Sequence, residues 1–262
     1  MRLKTLGSDP ELFVVDKKTG EITSAIGKLG GSKGNPLSLG YGRGLQEDNV
    51  LAEFNTHPVG SYDMFANEIQ SALKAVRRVC SKQGLGVKIQ ASHEYTAEAL
   101  NKYGPAALEF GCDPDTNAYT GMDNPTPDSS GCLRSAGGHL HIGYSGLIND
   151  EVSRMIIRSC DLFLGVPSVL MDPDTRRRNL YGKAGAYRPK SYGVEYRSLS
   201  NFWLSSRART IWAFKQAKRA TDKAGAIDLM LYKDQPLVVD CINNSDKDLA
   251  QHLVNKYNLE VV

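Results

Sequence analysis

The chain has 262 residues, 41% of them hydrophobic and 23% charged, an ordinary globular composition that excludes collagen-like, low-complexity and acidic-tail proteins. Its 32 basic and 29 acidic side chains leave a net charge of +3, too near neutrality for a nucleic-acid coat or a membrane-surface protein, so basic character must be local to matter. No apolar run reaches membrane-spanning length and none follows Met1, which predicts a cytoplasmic chain with no membrane partner. Five cysteines, at 80, 112, 132, 160 and 241, are scattered and never in C-x-x-C spacing, so reduced, structural thiols are expected, Cys112 in its polar loop included.

In chain order, residues 12–15 and 21–25 are apolar runs around Asp16-Lys17-Lys18-Thr19-Gly20, which predicts an antiparallel hairpin. Residues 27–44 carry seven glycines, a density that reads as a mobile loop near a ligand with no regular element. Residues 50–57 alternate as a strand with Glu53 and Asn55 on one face. Ser61 is a good N-cap, and Phe65, Ile69, Leu73, Val76 and Val79 recur at helical steps, predicting a helix to about Lys82 with Lys74, Arg77 and Arg78 on its outer face. Leu85, Val87 and Ile89 predict a strand and residues 96–103 a short helix, while the polar, Pro- and Gly-rich residues 113–131 predict a long loop.

A strand over 137–144 follows, then a helix opened by Asn149 and ended or kinked by Pro167. Residues 193–199 alternate as a strand, 205–223 form a basic amphipathic helix, 237–239 read as a hydrophobic strand and 245–257 as a closing helix. No repeat or linker divides the chain, so the expected architecture is one α+β domain over residues 1–262, a mainly antiparallel sheet with helices packed on one face.

Three groups of residues carry chemistry. In Gly137-Gly138-His139-Leu140-His141 the two-residue period of a strand aims both imidazoles at one site, and the glycines leave room beside them; a satisfied polar face is the plainer alternative. In Glu195-Tyr196-Arg197 the acid and the base share a face, an ordinary ion pair unless the crowd of Arg176, Arg177, Arg178, Lys183 and Arg188 marks an anion site. Asp9, Glu11, Glu47, Asp48 and Glu53 are acids on neighbouring strands that would repel one another without a cation, and oxygen donors with an occasional imidazole suit magnesium or manganese better than zinc. Neither a P-loop, a dinucleotide-binding turn nor a G-x-S-x-G elbow is present.

Taken in order, Gly7-Ser8-Asp9-Pro10-Glu11, Glu47-Asp48-Asn49-Val50 through Glu53-Phe54-Asn55, Phe110-Gly111-Cys112-Asp113-Pro114-Asp115, Gly137-Gly138-His139-Leu140-His141, and Tyr187-Arg188 through Glu195-Tyr196-Arg197 with Asn201-Phe202-Trp203 resemble the carboxylate–amine ligase superfamily of glutamine synthetase and glutamate–cysteine ligase. More narrowly, they resemble the COOH.NH2 ligase type 2 amidoligases of tailed bacteriophages. The resemblance implies a glutamine-synthetase-like catalytic domain, in the host cytoplasm if phage-encoded, using ATP and Mg2+ (or Mn2+). It implies Glu11, Glu53, His139 and Glu195 as metal ligands, with Glu47 and Asp48 as further partners. It also implies nucleotide-binding roles for Arg134, Arg178, Lys183 and Arg188, and catalytic roles for Asp48, His141 and Arg197, with His141, Arg188 and Arg197 holding phosphate.

The implied reaction joins a small-molecule or peptide carboxylate to an amine through an acyl phosphate, with Asp48, Asp9 or Asp115 accepting the amine's proton and the loops at 27–44 and 113–131 as lids. A nucleic acid is expected only as a modified-nucleotide substrate. Two alternatives stand beside this: a guanidino-type phosphotransferase of the same superfamily, and a non-catalytic metal- or peptide-binding protein on the same sheet.

Overall fold

The computed structural model describes residues 1–109, 115–128 and 131–262. In chain order its elements are β1 (Arg2–Ser8), β2 (Glu11–Asp16), β3 (Ile22–Thr23), β4 (Leu37–Gly40), β5 (Arg43–Asp48), β6 (Leu51–Asn55), α1 (Tyr62–Lys82), β7 (Leu85–Lys88), β8 (Ser92–Glu94), α2 (Ala97–Tyr103), β9 (Thr116–Asn117), β10 (Leu133–Ser135), β11 (Leu140–Ser145), α3 (Asp150–Cys160), α4 (Val166–Met171), β12 (Ala186–Lys190), β13 (Gly193–Tyr196), α5 (Arg207–Asp222), α6 (Ala224–Leu231), α7 (Gln235–Asn244) and α8 (Lys247–Tyr257). Among the described residues no helix is long and apolar enough to cross a membrane.

The architecture is α+β with antiparallel sheets. One sheet has the order β1-β11-β13-β12-β9; the other runs β3-β2-β6-β5-β4, with β7 also paired to β2, and β8 pairs β10 separately. All strand pairings are antiparallel. The chain passes from the first sheet to the second through Asp9 and Pro10, and the crossing is tied on both sides. Glu11 N–H donates to the Gly137 carbonyl (3.0 Å), Phe54 N–H to that of Pro10 (3.1 Å) and Thr56 N–H to that of Ser8 (2.9 Å).

Alternation along the strands divides the first sheet into a packed face and a polar face. Leu140 lies opposite Tyr196 and Ile142 opposite Val194, all buried, while α3 packs against β12 and β13 and α5 against β1. Phe65 of α1 stacks on Trp203 at 5.8 Å between ring centres, which joins the α1–α5 layer to the segment after β13.

The predicted hairpin appears as β2–β3, and α1, β7 and α2 lie where their periodicity places them, with Ser61 and Thr96 as N-caps. Five expectations differ from the structure. Residues 27–44 contain part of a β4–β5 hairpin, turned by Tyr41 and Gly42 at φ 57° and 76°; the two left-handed residues of a tight hairpin explain one glycine there. Gly44 allows close approach, because a Cβ there would lie 2.5 Å from Asn55 Oδ1. Pro167 does not end its helix: a π-helical segment, Asp161–Gly165, links α3 to α4, and the proline enters at the start of α4 where a missing N–H is tolerated. Residues 237–239 are helical, part of α7, since Val238, Cys241 and Ile242 bury one stripe at steps of three and one. The strand expected from 137 starts at Leu140, and that expected to Leu199 ends at Tyr196. β1, β8, β9, β10, α6 and β12 are additional elements, the two-residue β9 falling within residues 113–131, which the sequence predicts as loop throughout.

Cys80, Cys160 and Cys241 are buried free thiols and Cys132 is half-buried and free; Cys112 and the rest of residues 110–114 lie outside the described residues. Asp161, in the π-helical segment, is fully buried and ties β13 to the core. Its carboxylate accepts from Tyr196 Oη (2.8 Å), Ser198 Oγ (3.3 Å) and Gly185 N–H (2.6 Å). Burial outweighs these bonds and pushes its pKa up to about 6. Because the folded value is raised, the group's contribution to stability is full below the ordinary carboxyl range and is lost as pH rises through 6. A carbon-13 NMR titration of the folded protein should place the Asp161 midpoint near 6, and Asp161→Asn should remove this component of the pH–stability curve; a midpoint at or below the ordinary aspartate value would contradict the account.

Candidate active site at the junction of the sheets

Register places the central row of side chains. Gly7 of β1 pairs with His141 of β11, His141 with Glu195 of β13, and Glu195 with Arg188 of β12, so one row crosses four strands on the polar face. Asp9, where the chain leaves this sheet, lies against the row: its carboxylate is 3.0 Å from His141 Nε2 and 3.5 Å from His139 Nδ1. His139 precedes β11 yet reaches the same place, 3.7 Å from Glu195. The Ser8 hydroxyl donates to the His139 carbonyl (2.5 Å) and Trp203 Nε1 to that of Gly138 (3.0 Å), which fixes the backbone beneath the imidazoles. Gly138 has no room for a side chain, since a Cβ would meet Ser200 O at 2.4 Å and Trp203 Nε1 at 2.5 Å.

Positive groups surround Glu195. Arg197 is ion-paired to it and reaches Asp115 through Nε at 2.5 Å and His139 Nδ1 at 3.3 Å, while Lys190 Nζ is 2.8 Å from its other oxygen. Burial and Asp9 act to raise the Glu195 pKa, but Arg197, His139 and His141 outweigh them and hold it at about 2. Burial likewise opposes ionisation of Asp9, and the two imidazoles prevail and draw it below the usual carboxylate range. His141 moves the other way: burial lowers its pKa, Asp9 and Glu195 together outweigh burial, and the net shift is upward.

A second acidic wall stands on the other sheet. Glu11 and Glu53 face each other directly across β2 and β6. Burial raises the pKa of both, Asp48 adds to the rise at Glu11, and Asp9, Glu11 and Asp48 together push Glu53 well above the ordinary range. Asp48 is raised too, chiefly by burial. Glu11 accepts from Gly137 N–H at 2.6 Å and Glu53 from Gln46 Nε2 at 2.7 Å. Neither hydrogen-bond partner carries charge; His139 and Arg177 act to lower Glu11, and Lys33, His139 and Arg197 to lower Asp48, but burial prevails, and protonation or a cation would relieve the remaining repulsion.

Among the described residues, the one set of three whose ligand atoms all lie within 4.8 Å of one another is Asp9, His141 and Glu195. Two carboxylates and an imidazole suit a hard or borderline divalent ion. Of the implied ligands, Glu195 belongs to this set; His139, Glu11 and Glu53 stand around it, and His139 and Glu11 line a narrow cleft of about 50 Å³ with Asp48, Arg134, Arg177 and Arg197. On the far side of Asp9 a cavity of about 450 Å³ is lined by Glu53, Asn55, His141 and Tyr192, whose hydroxyl contacts His141 Nδ1.

The remaining implied residues divide. Arg188 lies 3.7 Å from Asp115 beside the site. Lys183 lines a separate cavity of about 280 Å³ that Asp115 also borders. Arg134 borders the narrow cleft while donating to the Ala107, Gly131 and Leu133 carbonyls. Arg178 is not brought to the cleft: it donates to the hydroxyls of Ser168 and Ser245, and its neighbour Arg177 takes the cleft position. Glu47 is turned to the backbone amides of Gly27, Leu29 and Gly30. Sequence reasoning missed Lys190 and Tyr192, and it placed Asp9 among the acids that need a cation and among the proton acceptors without naming it a metal ligand; the two-residue step from Arg188 to Lys190 was the available signal for the lysine.

Residues 133–260 match the family model described as phage phiEco32-like COOH.NH2 ligase-type 2. This span is just under half of the chain and is similar to that family. It holds His139, His141, Arg188, Lys190, Glu195 and Arg197, so the family segment contributes both imidazoles and the basic side of the site. The reaction class that the family's description names is the joining of a carboxylate to an amine. No curated protein sequence matches the chain. Among solved structures, GmaS without ligand aligns over 100% of this chain and 71% of its own at a TM-score of 0.44 and 8% identity. GmaS in complex with ADP aligns over the same shares at a TM-score of 0.41 and 9% identity.

Gly138→Ala tests the packing beneath the histidines. The added methyl should cost about 1–3 kcal/mol, read as a lower urea midpoint with an unchanged slope; an unchanged midpoint would show that the backbone under His139 is not close-packed.

Proposed function

We propose that residues 1–262 form one ATP-dependent carboxylate–amine ligase domain that makes an amide bond through an acyl phosphate, with small-molecule or peptide acids and amines as substrates. The observation that carries the reading is the meeting of Asp9, His141 and Glu195, with Arg197 and Lys190 on Glu195. Amide formation from a free carboxylate is unfavourable in water at neutral pH, so the acid must be activated, and a phosphoryl group from ATP does so with a good leaving group.

The residues fit a divalent cation, because Asp9 and Glu195 stay ionised beside an imidazole while the neighbouring acids are crowded enough to need neutralising. Asp9, His141 and Glu195 would hold Mg2+ or Mn2+, with Glu11, Glu53 and His139 around them. Such an ion, when bound, offsets phosphate charge. Arg197 and Arg177 in the cleft, with Arg188 and Lys190 beside the site, would hold the triphosphate oxygens at the other side. The substrate's carboxylate oxygen bonds to the γ-phosphorus as the bond to ADP breaks. The amine nitrogen then attacks the acyl carbon, inorganic phosphate leaves, and Asp48 in the cleft takes the amine's proton.

A coupled assay for ADP with pooled carboxylates and amines tests this. ADP should appear only when both are present, and Glu195→Gln should cut turnover by about 100-fold or more with an unchanged circular-dichroism melt. ADP release that needs a guanidino acceptor and no carboxylate would support phosphotransfer instead. Nucleotide binding without any ADP formed would support a binding protein.

A further inference from the structure

Away from this site, a groove of about 810 Å³ runs between β7, α1 and the start of α5. Lys17, Lys74, Arg77, Arg78 and Arg207 line it, with no acidic side chain in the lining. Lys17 donates to the Ser81 hydroxyl at 2.6 Å, and Arg207 is held by Asp63 at 3.3 Å and Asn67 at 2.8 Å. Lys74, Arg77 and Arg78 are exposed, and among the described residues their side chains make no hydrogen bond or ion pair. Their spacing of three and four residues stacks them on one stripe of α1, where like charges repel one another. That arrangement costs stability in the free protein and is relieved by an anionic partner.

The opposite wall is a sheet edge. β7 pairs with β2 alone, and the bond from Lys17 N–H to the Gly84 carbonyl sets the hydrogen-bonded pairs of that ladder at Lys17 with Gly84, Val15 with Gly86 and Phe13 with Lys88. The half-buried Val87, between two of these pairs, therefore turns its N–H and carbonyl outward into the groove it lines. No hydrogen bond meets either group among the described residues.

We propose that this groove is a docking site for an extended acidic peptide segment, which adds to the β7 edge through Val87 and sets its carboxylates against Lys74, Arg77 and Arg78. A peptide fits better than a single-stranded nucleic acid for two reasons. The lining has no aromatic ring on which bases would stack, and an outward N–H and carbonyl match a peptide backbone. The partner is thus a protein tail or loop that alternates acidic and small apolar residues.

The test uses the whole chain and a fluorescein-labelled peptide alternating glutamate and valine, followed by anisotropy at low and high salt. Binding should weaken steeply with salt. It should fall about tenfold or more in the triple variant Lys74→Glu, Arg77→Glu, Arg78→Glu, and by less in the corresponding triple glutamine variant, while ADP formation stays unchanged in both. Amide exchange at Val87 should slow when the peptide is present. The proposal is overturned if the peptide does not bind at low salt, if binding survives charge reversal in variants whose melts are unchanged, if Val87 exchange is unaffected at saturation, or if polyuridylate binds more tightly than the peptide.

Discussion

Ionised carboxylates from different strands can share a partly buried pocket only where positive charge is set among them, because each loses its hydration and repels the others. The junction of the two sheets meets this demand unevenly. Around Asp9 and Glu195 the charge comes from Arg197, Lys190 and the two imidazoles, and both acids are held ionised. Around Glu11, Asp48 and Glu53 the hydrogen-bond partners are neutral, and all three acids are shifted toward the protonated form. The site is thus basic, with its acids held ionised, on one sheet, and acidic, with its carboxyls shifted toward the neutral form, on the other, with Asp9 at the crossing.

That division suits a ligase. The proposed chemistry would use cationic groups to hold a transferring phosphate and a cation held by Asp9, His141 and Glu195, with the acids of the second sheet beside it. The family segment, residues 133–260, carries the basic side and the histidines; the acids Asp9, Glu11, Asp48 and Glu53 come from the preceding part of the chain. Neither half assembles the site alone, which gives the packing of Gly138 under Trp203 and Ser200 its importance: it sets the His139 backbone between the two sheets.

Much of this was legible in local pattern. The two-residue steps from His139 to His141 and from Glu195 to Arg197 place these groups together because a strand, or the extended residue before one, repeats its direction every second residue. The helix caps at Ser61, Thr96 and Asn149 were equally readable. What escaped was set by packing across the chain. Asp9 reads only as one acid among several, and the passage of the chain between sheets is what brings it to His141. In Arg176-Arg177-Arg178 nothing local distinguishes which guanidinium faces the cleft; serines on α4 and after α7 claim Arg178 and leave Arg177 to the site. Val238 and Val239 favour a strand by residue type, but burial of Val238, Cys241 and Ile242 on one stripe overrides that preference.

The central claim is that Asp9, His141 and Glu195 converge on a cation rather than merely on one another. Crystals soaked in Mn2+ and measured near the manganese absorption edge address this directly. The account predicts an anomalous peak within bonding distance of all three side chains. It is contradicted by saturating Mn2+ that leaves no peak there, with Asp9 still paired to His141 and Glu195 still paired to Arg197.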